Sequence, residues 1–167
     1  MSIKLFALAT LALSALSVPA LAQPSPRMVQ TFNDWGLYSY QANGSTTCYV
    51  LTAPKQMRPA TVDHGDNYFL VAPKPSGSGY YPQAIMGYEL RNGSQMTVTI
   101  GDQNFVLVPQ GNSGWTQQES NDAALIAAMK AGSQMTLEAT SRRGTQTSYV
   151  FSLSGVSAAL NQADRCN

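Results

Sequence analysis

The chain has 167 residues, a formal net charge of +1 and only 11% charged side chains. Its size fits one domain with its own core. Charge this sparse and balanced excludes the basic footprint that nucleic acid or anionic lipid requires. Plentiful Ser, Thr, Gln, Asn and Gly suit strands with polar outer faces joined by tight turns.

Residues 1–22 read as a secretory signal peptide. Lys4 supplies the positive start, the run 5–16 is apolar apart from Thr10 and Ser14, and Ala20-Leu21-Ala22 gives the small-x-small pattern before Gln23. The apolar run is shorter than the roughly 20 residues of a spanning helix, so no transmembrane segment is expected after cleavage. Residues 23–30 read as a flexible lead-in, and 31–167 as a single β-rich domain.

A first strand is expected from Phe32, with Trp35, Leu37 and Ser39 on one face and Tyr38 and Tyr40 on the other. Asn43-Gly44 is a hairpin signal, and a strand over 47–52 carries Cys48. Residues 54–59 read as a loop and 67–71 as a strand. The Gly-, Ser- and Pro-rich stretch 73–82 reads as irregular and carries Tyr80 and Tyr81. A three-stranded meander follows over 86–91, 96–100 and 105–108, with turns at Asn92-Gly93 and Gly101-Asp102. The run Phe105-Val106-Leu107-Val108 is apolar on both faces, as in a strand covered on both sides. A loop over 110–114 then ends at Trp115.

The spacing predicts a helix over 121–131, capped by Ser120 or Asn121, with Leu125, Ile126 and Met129 inward and Asp122 set against the helix dipole. A hairpin comes next: Met135, Leu137 and Ala139 share one face, Tyr149, Phe151 and Leu153 another, and Arg143-Gly144 is the turn. A second helix over 155–163 places Val156, Ala159, Leu160 and Ala163 on one side, with Ser154 as its cap. The expected fold is all-β, a β-sandwich or distorted barrel of about eight mostly antiparallel strands with two short helices.

Two cysteines in an exported chain suggest one disulfide, Cys48 to Cys166, against the alternative of two separate thiols. His64, between Asp63 and Asp66, has no recognised ligand spacing and no Gly-x-Ser-x-Gly elbow to serve; a polar turn is the simpler reading. No residue is assigned as catalytic or metal-binding, and no cofactor is expected. The aromatics are the remaining lead. Tyr38 and Tyr40 suit either cross-strand packing or exposure, while Tyr80, Tyr81 and Trp115 are the candidate binding residues because loops lie at surfaces.

Phe32-Asn33-Asp34-Trp35 opens the first strand, and Thr47-Cys48-Tyr49-Val50 carries the first cysteine. The run 125–132 leads into the strand 134–142, and Val150-Phe151-Ser152-Leu153-Ser154-Gly155-Val156-Ser157-Ala158-Ala159-Leu160 follows. Taken in order, these stretches resemble the invasion-associated locus B family of exported proteobacterial proteins. The resemblance implies a periplasmic or surface-exposed β-rich domain, named for a role in host-cell invasion and without an assigned biochemical activity. This chain has Ser39 where many members carry a cysteine, and Gln110 to Trp115 where many carry a second cysteine pair.

The combined expectation is a periplasmic or secreted, non-catalytic binding protein that meets an unknown protein or envelope component, in host-cell interaction or envelope homeostasis. Nucleic acid is not an expected partner. The rivals are a small periplasmic hydrolase using His64 or a carboxylate pair, and an inhibitor of an envelope enzyme.

Overall fold

A computed structural model describes residues 25–42, 44–76 and 78–166. The expected signal segment lies outside the described residues, as do Asn43 of the first hairpin turn and Gly77. Alternation of apolar and polar side chains builds the strands β1 (Arg27–Phe32), β2 (Trp35–Ala42), β3 (Ser45–Thr52), β4 (Gln56–Arg58), β5 (Tyr68–Pro73), β6 (Tyr80–Ile85), β7 (Met96–Ile100), β8 (Gln103–Gln110), β9 (Ser113–Thr116), β10 (Gln134–Thr140) and β11 (Gln146–Ser152). Helix α1 (Ser120–Ala131) precedes β10, and α2 (Val156–Ala163) follows β11.

The fold is all-β and antiparallel with two helices, but eleven strands in one open sheet replace the eight expected in a sandwich or barrel. Their order is β1-β2-β3-β5-β6-β9-β8-β7-β10-β11-β4. No second sheet is needed, because this one curls until its apolar face meets itself. Phe69 on β5 and Phe151 on β11 have five strands between them. In a flat sheet, with strands ~4.8 Å apart, they would lie ~29 Å from each other. Their ring centroids are 6.0 Å apart, edge to face. At the rim of the curl, Trp35 Nε1–H donates to the Ser152 carbonyl (3.0 Å) and Asp34 N–H to the Ser154 carbonyl (3.2 Å).

One core fills the curl, with Trp35, Leu37, Val50, Phe69, Met96, Leu137, Tyr149 and Phe151 all buried. Helix α1 adds Leu125, Ala128 and Met129 against β6 and β8. Helix α2 adds Val156, Ala159, Leu160 and Ala163 against β1, β2 and β3. Just beyond α2, Cys166 is bonded to Cys48, whose side chain is fully buried on β3.

Several expectations are corrected. Residues 27–30 are not lead-in but the start of β1, which pairs with β2 across the Asn33-Asp34 turn. The loop over 54–59 contains β4, an edge strand laid against β11. In the stretch read as irregular, Pro73 closes β5, and Tyr80 and Tyr81 open β6. Pro82 is tolerated inside a strand because β9 flanks β6 only from Gln83 onward, so no ladder is interrupted on that side. The segment 86–91 is not a strand; only Leu90 bridges, to Ser141. The loop over 110–114 is a tight turn between β8 and β9. Val106 and Val108 face solvent (37% and 43% exposed), so β8 is covered on one face, not both.

Neither helix is capped as expected. Glu119 holds the α1 cap position without a side-chain bond. Gly155 holds that of α2, and Ser154 Oγ instead accepts from Asn33 Nδ2 at 3.0 Å. Gly155 has φ +97, and a Cβ there would lie 1.9 Å from the Phe32 carbonyl oxygen. Gly155→Ala is therefore expected to lose about 2–3 kcal/mol in urea unfolding, from left-handed strain and a backbone clash together. A loss below ~1 kcal/mol would mean that the connector moves off Phe32 at little cost.

Candidate functional site

The solvent face of the sheet divides into two unlike halves. Across β7, β10, β11 and β4 the outward row is Thr97, Glu138, Ser148 and Arg58, polar as an exposed face should be. Across β1, β2, β3, β5 and β6 it is aromatic and apolar. Met28 pairs with Tyr38 and Tyr38 with Tyr49. The Val50–Val71 pairing sets Tyr49 beside Ala72, which pairs with Tyr81. A second row runs Leu51, Leu70, Gln83, Trp115 and Val108. Four strand spacings from β1 to β6 make the first row ~19 Å long.

Local sequence explains the packing of this face. Gly36 lets the Tyr38 ring lie down on the sheet, since a Cβ there would sit 2.6 Å from the ring. Tyr38 stacks on Tyr49 (centroids 5.6 Å, 20° between planes), and Tyr40 meets Tyr49 edge-on at 6.1 Å. Cross-strand packing and exposure, weighed as alternatives, thus coexist: Tyr40 packs and is still 36% exposed. Burial pushes the Tyr49 phenol above its ordinary value, with Tyr38 and Tyr40 adding to the effect. Tyr81 is raised the same way, by burial first and then by Tyr40. These hydroxyls stay protonated, so the face offers neutral phenols.

Of the three candidate binding residues, Tyr81 and Trp115 come together and Tyr80 does not. Tyr81 and Trp115 line a groove of about 370 Å³ where β6 extends past β9, closed by Lys74 to Ser76 and the start of α1. Tyr80 turns the other way and packs against the core. Lys74 Nζ pins the wall of the groove, reaching Asp122 Oδ2 at 2.9 Å and Glu119 Oε2 at 3.2 Å. The Asp122 bond is the chief reason that the Lys74 ammonium is held above its ordinary value. Asp122 also accepts from Thr116 Oγ1 and is nearly buried. Its place is in this network rather than at the helix dipole alone.

His64 is not in an open polar turn; it is 7% exposed. The Pro59 carbonyl can only accept, so Nε2–H donates to it at 3.0 Å, and Nδ1 meets the Tyr149 hydroxyl at 2.8 Å. From there Tyr149 Oη bonds Tyr88 Oη at 3.1 Å, and Tyr88 bonds Thr147 Oγ1 at 2.6 Å. Burial raises the Tyr149 phenol strongly, and Tyr88 raises it further. Asp63 and Glu89 line the same cleft as His64. Yet both imidazole nitrogens are engaged elsewhere, and Asp63 Oδ1 accepts from Gly65 N–H. Among the described residues no three His, Cys, Asp or Glu side chains are grouped so as to hold a metal ion.

Sequence reasoning missed Met28, Tyr49, Leu51 and Leu70. For Tyr49, Leu51 and Leu70 the signal was available, since each sits between inward positions of its strand and is apolar or aromatic where a polar residue belongs; β1 has exposed neighbours on both sides of Met28 and carries no such signal.

The model of the invasion associated locus B (IalB) protein family matches residues 40–164. Among solved structures, invasion associated protein B from Bartonella henselae is similar, with a TM-score of 0.59 over 81% of this chain and 94% of that one, at 16% identity. That likeness is one of fold. No curated protein matches the chain.

Proposed function

The chain belongs to the invasion associated locus B family, and from that premise we propose that it is an exported, non-catalytic binding protein whose outer aromatic face docks a protein of the envelope or of a host surface. The observation that carries this is the row Met28, Tyr38, Tyr49, Tyr81 with Trp115 beside it, on a face where solvent exposure calls for polar residues. An aromatic strip ~19 Å long on the outside of the sheet suits a protein surface, where aromatic side chains are enriched. Tyr and Trp are the side chains that dominate such contacts, since they bring large area at small entropic cost. A hydrolase built on His64 is disfavoured, because its proton-accepting nitrogen is buried against Tyr149. Among the described residues no helix is long and apolar enough to cross a membrane.

The test is capture from envelope extract on immobilised protein, with Tyr81→Ala/Trp115→Ala beside the wild type. The variant is expected to bind the captured protein about 30-fold or more weakly, equivalent to at least ~2 kcal/mol. Its melting temperature should hardly change, because both side chains stand outside the core. Equal capture by the variant, or a collapse of its stability, defeats the proposal.

A further inference from the structure

A second place in the molecule is built like a ligand site, and it shares no residue with the aromatic face. Three irregular segments, 59–67, 86–91 and the β10–β11 turn, enclose a cleft of about 570 Å³, within the range of small-molecule pockets.

The walls are fixed in advance. Buried Asn67 donates through Nδ2 to the carbonyls of His64 (3.0 Å) and Gly65 (2.9 Å), and its Oδ1 accepts from Gly87 N–H at 3.1 Å. The two backbones are so close that a Cβ on Gly87 would lie 2.5 Å from the His64 carbonyl oxygen. The hairpin turn is stitched to the same segment: Arg142 N–H donates to Glu89 O at 2.8 Å, and Arg91 N–H to Thr140 O at 3.0 Å. Beneath lies the polar chain of His64, Tyr149, Tyr88 and Thr147, whose bonds to one another, and from Thr147 Oγ1 to the Ala139 carbonyl (3.1 Å), hold the floor in place. Loops that only connect strands need no such bracing; loops that hold a site do.

The charges define the ligand. Arg142 and Arg143 stand exposed on one segment, Asp63 and Glu89 on the two others, and all four line the cleft. Among the described residues none of the four is in an ion pair. Two positive and two negative groups cancel, so the cleft draws in neither a polyanion nor a polycation. They match a molecule bearing both signs. We propose that this cleft binds a small zwitterion with a free carboxylate and a free ammonium, an amino acid or short peptide. The carboxylate faces the guanidinium pair, and the ammonium faces Asp63 and Glu89, over a floor that includes Tyr88 and Thr147.

The experiment is NMR titration of isotope-labelled protein with dialanine, N-acetyl-dialanine (no ammonium) and dialanine amide (no carboxylate). Dialanine should give saturable shifts confined to 62–64, 88–89 and 141–147. Each capped peptide should bind at least about tenfold more weakly, as for loss of one charged hydrogen-bonding group. Arg142→Ala/Arg143→Ala should lose at least about tenfold for dialanine while keeping the wild-type melting temperature, since both side chains are exposed. No saturable shift at millimolar dialanine, equal binding of a capped peptide, or an unaffected arginine variant overturns the proposal.

Discussion

Cys48→Ala/Cys166→Ala is expected to lower unfolding stability by about 4–5 kcal/mol. The disulfide closes a loop with a sequence separation of 118, and releasing a loop of that length returns about 4–5 kcal/mol of chain entropy to the unfolded state. Small domains have total stabilities of only about 5–15 kcal/mol, so the variant should sit near the edge of folding. The bond also anchors the end of α2, whose buried side chains would then rest on β1 to β3 by packing alone. Guanidinium unfolding of the variant, and of the wild type under reducing conditions, should give the same loss. A loss below ~2 kcal/mol would show that α2 holds the chain end in place without the covalent link.

Trp35→Ala is the second large effect, about 4–5 kcal/mol. The side chain is fully buried, and truncating such an aromatic leaves a cavity that costs about 3–5 kcal/mol. Its indole N–H also satisfies the Ser152 carbonyl at the point where the curled sheet meets itself, and an acceptor left unpaired there adds about 1 kcal/mol. Trp35→Phe separates the two terms. It keeps most of the volume, loses the hydrogen bond, and should cost about 1–2 kcal/mol. Trp115 remains as the only tryptophan, so its fluorescence reports unfolding in both variants. Equal losses in Phe and Ala would assign the whole effect to the hydrogen bond.

The parts of the fold that the sequence makes legible are those with undiluted periodicity. Met135, Leu137 and Ala139 opposite Tyr149, Phe151 and Leu153 declare a hairpin, and Val156, Ala159, Leu160 and Ala163 a helix. The elements that escape are decided by partners distant in the chain. Strand β4 is three exposed residues, Gln56 to Arg58, whose only claim to be a strand is the nearby edge of β11. Strand β6 hides behind Tyr80-Tyr81-Pro82, because a proline argues against a strand until its open flank is known. The segment 86–91 alternates like a strand, yet Asn67 binds its backbone first. The candidate site divides in the same way. Tyr81 and Trp115 were visible as aromatics beside turns, whereas the row they complete exists only once registers are fixed. Tyr80 shows how much one residue matters: it differs from Tyr81 by a single position, and strand alternation sends it to the opposite face.

The strand order has a kinetic consequence. Trp35 waits for Ser152, Cys48 for Cys166, and β4 for a partner that emerges late in synthesis. Early strands therefore have neighbours to pair with but no core to close upon until the last hairpin and helix arrive. Such high contact order makes for slow folding, because loop closure must precede the contacts that reward it. Fragments that lack β11 and α2 should remain open and prone to associate through their exposed inner faces.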